Sequence, residues 1–164
     1  MAKVIIVSDN HGDVGNLKEV IKCEKPFDLL IHCGDVQFDN EIIRLQEMAG
    51  VPVYAVKGNC DVFSELSRFV EFDYQGKHIL VVHGYYEGVN MGIGELERKA
   101  SVSEADIVFF GHTHVPFLHD NGSVIFANPG SIYLPRQSDR VPTYMTMDIE
   151  DGKKVKIAIK KCSK

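Results

Sequence analysis

Residues 4–36 read VIIVSDNHGDVGNLKEVIKCEKPFDLLIHCGDV, and the fold turns on how they are parsed. Two short apolar runs, 4–7 and 29–31, stop abruptly at polar and glycine positions, as buried strands do. Between them, residues 16–23 carry Leu17, Val20 and Ile21 at the spacing of one helical face. The unit then repeats: 40–48, with Ile42, Ile43, Leu45 and Met48, predicts a second amphipathic helix, and 53–56 a third strand. Such alternation implies parallel strands joined by crossovers that cover the sheet faces. Further along, 79–82 and 107–110 also read as strands. Three hairpins are expected: 69–74 with 78–82 about Gln75-Gly76, 117–119 with 124–126, and 143–149 with 154–159. The expected class is α/β, with two mixed sheets in layers.

A chain of 164 residues fits one domain, 1–164, and no linker or internal repeat divides it. A hydrophobic share of 45% and a charged share of 25% are ordinary for a globular protein and argue against disorder. The net charge of −5 and a pI near 5.8 disfavour broad binding to nucleic acid or to an anionic membrane. The lysines of 153–164 read as a solvated edge hairpin and tail, because no aromatic residue is present there for base stacking. Cys23, Cys33, Cys60 and Cys162 form no Cys-x-x-Cys pair, which fits a reduced, cytoplasmic setting. The apolar run at 4–7 is too short for a secretory core or a membrane span, so no membrane association is expected.

The strand endings carry the chemistry. After the five apolar runs come Ser8-Asp9-Asn10-His11-Gly12, His32-Cys33-Gly34-Asp35, Lys57-Gly58-Asn59-Cys60-Asp61, His83-Gly84 and Gly111-His112-Thr113-His114. In open α/β sheets ligands bind beyond the carboxyl ends of strands, so these endings can share one crevice. Pooled, Asp9, His11, Asp35, Asn59, His83, His112 and His114 form a metal-ligand inventory of two carboxylates, one amide oxygen and four imidazoles. With Asp35 bridging, the set can hold two divalent cations with room for solvent and substrate. Their charge outweighs that of two aspartates, which suits a phosphate. A water shared by two such ions becomes hydroxide near neutral pH and can attack in line. The thiolate-free N/O donor set suits manganese, iron, zinc or nickel, with manganese taken first.

Asp9-x-His11, Gly34-Asp35, Gly58-Asn59-x-Asp61, His83-Gly84 and Gly111-His112-x-His114 resemble, in order and spacing, the motifs of the calcineurin-like metallophosphoesterases. Asn128-Pro129-Gly130-Ser131 and the short chain are similar to the small bacterial and archaeal phosphodiesterase branch. The resemblance implies a four-layer α/β sandwich. It also implies one metal on Asp9, His11, Asp35 and His114 and the other on Asp35, Asn59, His83 and His112. Asp35, Asn59, Cys60 and His83 are the residues expected to carry the reaction. Cys60 departs from most of the family, which has histidine there to bind phosphate and protonate the leaving group. A thiol replaces imidazole poorly as a proton donor. The expected substrates are therefore small phosphodiesters, or esters with acidic leaving groups.

Other positions have plainer readings. Asp61 is expected to cap a helix at 62–66. His32, His78 and His119 read as packing or solvent contacts. Asn128 and Ser131 are expected to build a tight turn, with contact to substrate left open, and Arg136 is either a phosphate clamp or a surface residue. The loops 85–94 and 134–142 are expected to shape specificity. The rival reading is a protein-binding scaffold, since a eukaryotic retromer subunit resembles this branch and has degraded metal motifs; here all seven ligand types are present. A nuclease is disfavoured by the short chain and acidic balance. Oligomerisation remains open at this level.

Overall fold

The structure is a computed structural model and describes residues 1–163, so of the lysine-rich stretch only Lys164 lies outside the described residues. Three strands near the start, β1 (Ala2–Val7), β2 (Leu29–His32) and β3 (Val53–Ala55), run parallel. They are connected through α1 (Gly15–Glu24) and α2 (Asn40–Ala49). Two strands near the chain's other end, β9 (Thr143–Ile149) and β10 (Lys156–Lys161), complete this sheet antiparallel, in the order β10-β9-β1-β2-β3. The second sheet takes β4 (Phe69–Tyr74), β5 (Lys77–Val82), β6 (Ile107–Phe109), β7 (Phe117–Asp120) and β8 (Ile125–Asn128), in the order β4-β5-β6-β8-β7. Both sheets mix parallel and antiparallel pairs.

Strand alternation sorts the core into layers. Val4 and Ile6 of β1 face the second sheet and meet Ile79, Val81, Ile107 and Phe109, whereas Ile5 and Val7 face Leu17, Val20 and Ile21 of α1 and Leu45 of α2. On the outer side of the second sheet, Leu80, Val82 and Val108 pack on Leu96 and Ala100 of α3 (Gly94–Ser103). The result is helix, sheet, sheet, helix: the four-layer sandwich that the resemblance implied.

The three expected hairpins form. Gln75 (φ 48°) and Gly76 (φ 74°) both lie in the left-handed region, which matches the twist of a two-residue hairpin turn. The last strand starts at Lys156 rather than 154, because Val155 is drawn into the inter-sheet core. The helix α3 was not anticipated. Its apolar face is thin, yet the parallel pairing of β5 with β6 demands a crossover, and 83–106 is the only segment available to make it.

Glu24 ends α1 in a buried position and ties three strands to it. Its Oε1 accepts the Tyr144 hydroxyl at 2.6 Å and Lys160 Nζ at 2.8 Å, and its Oε2 lies 2.6 Å from Lys3 Nζ. Burial would raise this carboxyl, but Lys160, Lys3 and Tyr144 outweigh it and hold the pKa at about 2. A depressed folded pKa gives stability that is present above the unfolded value near 4.5 and is lost as pH falls through about 2. Wild type should therefore exceed Glu24→Gln in denaturant stability at neutral pH. The gap should close on acidification from pH 4.5 toward 2, as read from urea midpoints at stepped pH.

Candidate metal centre

The polar ends of β1, β2, β3, β5 and β6 meet along one edge of the sandwich. Backbone bonds lace them together: Asp9 N–H to Gly34 O (3.0 Å), His11 N–H to Asp35 O (2.9 Å) and Gly111 N–H to His83 O (2.8 Å). The two sheets are joined here by the His83 ring, whose Nδ1 donates to Cys33 O at 2.7 Å.

Five residues of the sequence inventory sit in the left-handed backbone region: Asp9 (φ 56°), His11 (46°), Asp35 (57°), His112 (72°) and His114 (59°). Each such conformation costs a non-glycine residue roughly 1–2 kcal/mol, and clustered strain of this kind marks functional sites. It also solves a geometric problem. On a regular strand His112 and His114, two residues apart, would point side by side to the same face. Released from strand geometry, His114 lies 5.1 Å from the His11 ring and His112 lies 5.2 Å from the His83 ring, on two sides of one centre. The close packing needs glycine at 58, where a Cβ would overlap Asp35 Oδ1, and at 111, where it would overlap Ser8 Oγ.

Asp9, His11, Asp35 and His114 each present one donor atom within 4.8 Å of the others. Asp9 is fully buried. Its Oδ2 accepts the Ser8 hydroxyl (2.6 Å) and the His112 N–H (3.1 Å). Among the described residues its Oδ1 has no hydrogen-bond partner, and it faces the Nε2 atoms of His114 (3.3 Å), His11 (3.8 Å) and His83 (3.8 Å). On the other side, Asn59 Oδ1 lies 3.0 Å from His83 Nε2 and 3.1 Å from His112 Nδ1. Asp35 stands between the groups: Oδ2 is 3.3 Å from His83 Nε2 and 3.6 Å from His11 Nε2, while Oδ1 accepts the Cys60 N–H at 2.9 Å. All seven inventory side chains are thus brought together.

The rings are held from behind. Because a carbonyl can only accept, His83 Nδ1 carries its proton toward Cys33 O and His114 Nδ1 carries its proton toward Leu134 O (2.7 Å), which presents Nε2 of both to the centre. The Nε2 atoms of His11 and His114 lie only 3.2 Å apart beside the bare Asp9 oxygen. Lone pairs converging on a buried, unpartnered carboxylate oxygen fit a divalent cation.

The electrostatics follow the contacts. Burial would raise the Asp9 and Asp35 carboxyls, but the neighbouring imidazoles win and both are lowered. Burial would lower His83, yet Asp35 and Asp9 lift it to about 9. The His112 imidazole is pushed down by burial and by His83. Burial drives His32 to about 4, and its neutral ring bridges Asn10 Oδ1 (2.8 Å) and Gly34 N–H (3.1 Å), a packing role. The exposed Cys60 thiol is raised to about 11 by partial desolvation and by Asp35.

The expected cap at Asp61 is corrected: no helix forms over 62–66. The buried Asp61 carboxylate instead accepts backbone N–H groups of Asp35 (2.9 Å), Gln37 (2.7 Å), Gly58 (2.8 Å) and Val36 (3.3 Å), clamping the Asp35 turn to the Asn59 turn. These orphan amides outcompete a local helix start. Asn128 and Ser131 are fully buried and spend their side chains within the fold: Asn128 Nδ2 on Gly111 O (3.0 Å) and Thr113 Oγ1 (3.0 Å), and Ser131 Oγ on Asp9 O (2.8 Å). Sequence patterns gave no sign of Asn90, whose amide nitrogen lies 3.1 Å from His112 Nε2.

Residues 2–152 match the calcineurin-like phosphoesterase superfamily domain. The chain belongs to this family. It is 32% identical to the probable metallophosphoesterase YsnB of Bacillus subtilis over 149 residues, covering 90% of this chain and 85% of that protein. It is 25% identical to the Escherichia coli phosphodiesterase YfcE over 161 residues, covering 83% and 82%. A crystal structure of a predicted phosphoesterase from Streptococcus pneumoniae superposes with a TM-score of 0.84 at 30% identity, over 98% of this chain and 91% of the other. Vps29 of Entamoeba histolytica in complex with Zn2+ shares the fold at a TM-score of 0.77 and 19% identity, over 98% and 99%. The protein is a metal-dependent phosphoesterase, and its donor cluster is consistent with divalent metal use.

Removing the clamp of this phosphoesterase should unfasten the centre. Asp61→Ala leaves several buried N–H groups without an acceptor and should lower unfolding free energy by at least about 3 kcal/mol in urea titrations, since bonds to a charged group are worth roughly 1.5–3 kcal/mol each.

Proposed function

We propose that this phosphoesterase is a dinuclear-metal phosphodiesterase acting as one domain, with Asp9, His11, Asp35 and His114 holding one ion and Asp35, Asn59, His83 and His112 the other. The observation that carries the reading is the buried, unpartnered Asp9 Oδ1 ringed by three imidazole nitrogens, with Asp35 Oδ2 in reach of histidines from both groups. Divalent ions there, manganese first and zinc, nickel or iron(II) as alternatives, would supply a hydroxide nucleophile near neutral pH and positive charge for the phosphoryl oxygens.

The chain's own residues do the rest. Asp35 fixes the spacing between the two donor groups through its Oδ2, and its Oδ1 is pinned by the Cys60 N–H. His83 and His114 cannot rotate away, since each is anchored through Nδ1 to a backbone carbonyl. The Cys60 thiol is a weak donor where an imidazole would protonate a departing alkoxide. Leaving groups that depart as stable anions are therefore favoured, which selects small diesters and other esters with acidic leaving groups over alkyl monoesters. A cytoplasmic location fits the free thiols, and among the described residues no helix is long and apolar enough to cross a membrane. Catalysis is preferred to a scaffold role because the complete donor set is assembled.

Two outcomes test this reading. Hydrolysis of bis(p-nitrophenyl) phosphate should vanish in chelator and in Asp35→Asn, and manganese should restore the wild type alone. An activity indifferent to chelator would overturn the proposal. Cys60→His should raise turnover of an alkyl monoester such as glycerol phosphate relative to bis(p-nitrophenyl) phosphate, by about tenfold or more if general-acid catalysis is gained, because the alkoxide needs a proton that p-nitrophenolate does not. An unchanged ratio would remove the leaving-group argument.

A further inference from the structure

The segment after Ser131 is bolted to the centre. Ser131 Oγ accepts the N–H groups of Tyr133 (3.1 Å) and Leu134 (2.7 Å) while donating to Asp9 O. Leu134 O takes the His114 ring proton, and the Arg136 N–H donates to His114 O at 3.0 Å. Beyond these bonds lies an open depression of about 450 Å³ lined by Tyr133, Leu134, Pro135, Arg136 and Arg140. Its loop is fixed by Gln137 Nε2 donating to Val141 O (2.6 Å) and the Arg140 N–H to Gln137 O (3.1 Å).

Both guanidinium groups belong to exposed residues, and among the described residues neither has an ion-pair partner. The one carboxylate between them, Asp139, is engaged by Lys161 Nζ at 2.7 Å and accepts the Val141 N–H at 3.0 Å. An acidic protein of net charge −5 thus sets two uncommitted arginines and a half-exposed tyrosine ring directly beside the His114 side of its centre. A guanidinium fork matches phosphate oxygens, and a tyrosine flanked by leucine and proline offers a flat apolar platform.

We infer that this depression is a subsite for a second phosphate of the substrate, with a nucleoside packed on Tyr133, so that the substrate class is a nucleotidic phosphodiester that carries a phosphate besides the one cleaved and whose leaving group departs as a stable anion. The inference rests on the phosphodiesterase reading for its cleavage step but not for its binding step. Arg136 and Arg140 act as substrate-binding residues.

Calorimetric titration of thymidine 3′,5′-bisphosphate and thymidine 5′-phosphate into the manganese-loaded protein tests it. Wild type should bind the bisphosphate about tenfold tighter or better, the worth of one charge-assisted contact. In Arg136→Ala/Arg140→Ala the two affinities should converge. Arg98→Ala, whose guanidinium pairs with Glu95 on α3, should keep the preference. Equal affinities in the wild type, or a preference that survives the double variant, would overturn the subsite. Bis(p-nitrophenyl) phosphate hydrolysis on the same preparation separates the two claims. Cleavage without bisphosphate preference sinks the subsite alone. Preference without cleavage supports the anion subsite while the phosphodiesterase reading falls.

Discussion

A carboxylate buried at the junction of two sheets is the constraint around which the rest is arranged. Asp9 has no solvent access, and an isolated charge in such a place would cost several kcal/mol. Among the described residues no lysine or arginine relieves this. It supplies a hydroxyl and a backbone amide to one oxygen and leaves the other facing three imidazole nitrogens. The left-handed conformations at Asp9, His11, Asp35, His112 and His114 follow from crowding five chain segments around that oxygen, and the glycines at 58 and 111 make room for them.

The stability of the sandwich is what allows such strain. Fully buried aliphatic residues of β1 face both ways, Val4 and Ile6 into the inter-sheet core and Ile5 and Val7 toward α1 and α2, so the strand ends are carried by cores on both sides. The centre therefore draws on rigid elements from both sheets. His83, a side chain of β5's end that hydrogen-bonds the backbone after β2, ties them together, as does the His112 N–H on Asp9 Oδ2.

Much of this was legible in the sequence, for identifiable reasons. Strand and helix periods announced the first sheet, because its helices have clear apolar faces, and glycine-polar endings announced the crevice. The α3 helix was not, since only Leu96 and Ala100 of it are buried and its pattern is mostly polar. Asp61 was misread because a local rule, helix capping, competes with a non-local one: amides of the β2 turn arrive from 24 to 26 residues away, and no window of sequence shows them. Asn90 escaped for the same reason, lying on a segment whose path is set by packing rather than by period.

The contrast between Cys60 and its neighbour Asp61 has a consequence for how such a centre can change. Asp61 secures the frame through its buried side chain, whereas Cys60 pins Asp35 through its backbone amide, and its exposed thiol meets the centre only at the edge, 3.6 Å from Asn59 Nδ2. A side chain at 60 can be exchanged while the Asp61 clamp and the Cys60 amide keep the frame in place. On the proposed phosphodiesterase reading, chemistry at the departing oxygen is thus separated from architecture, and a single codon can retune reactivity on an otherwise conserved chassis.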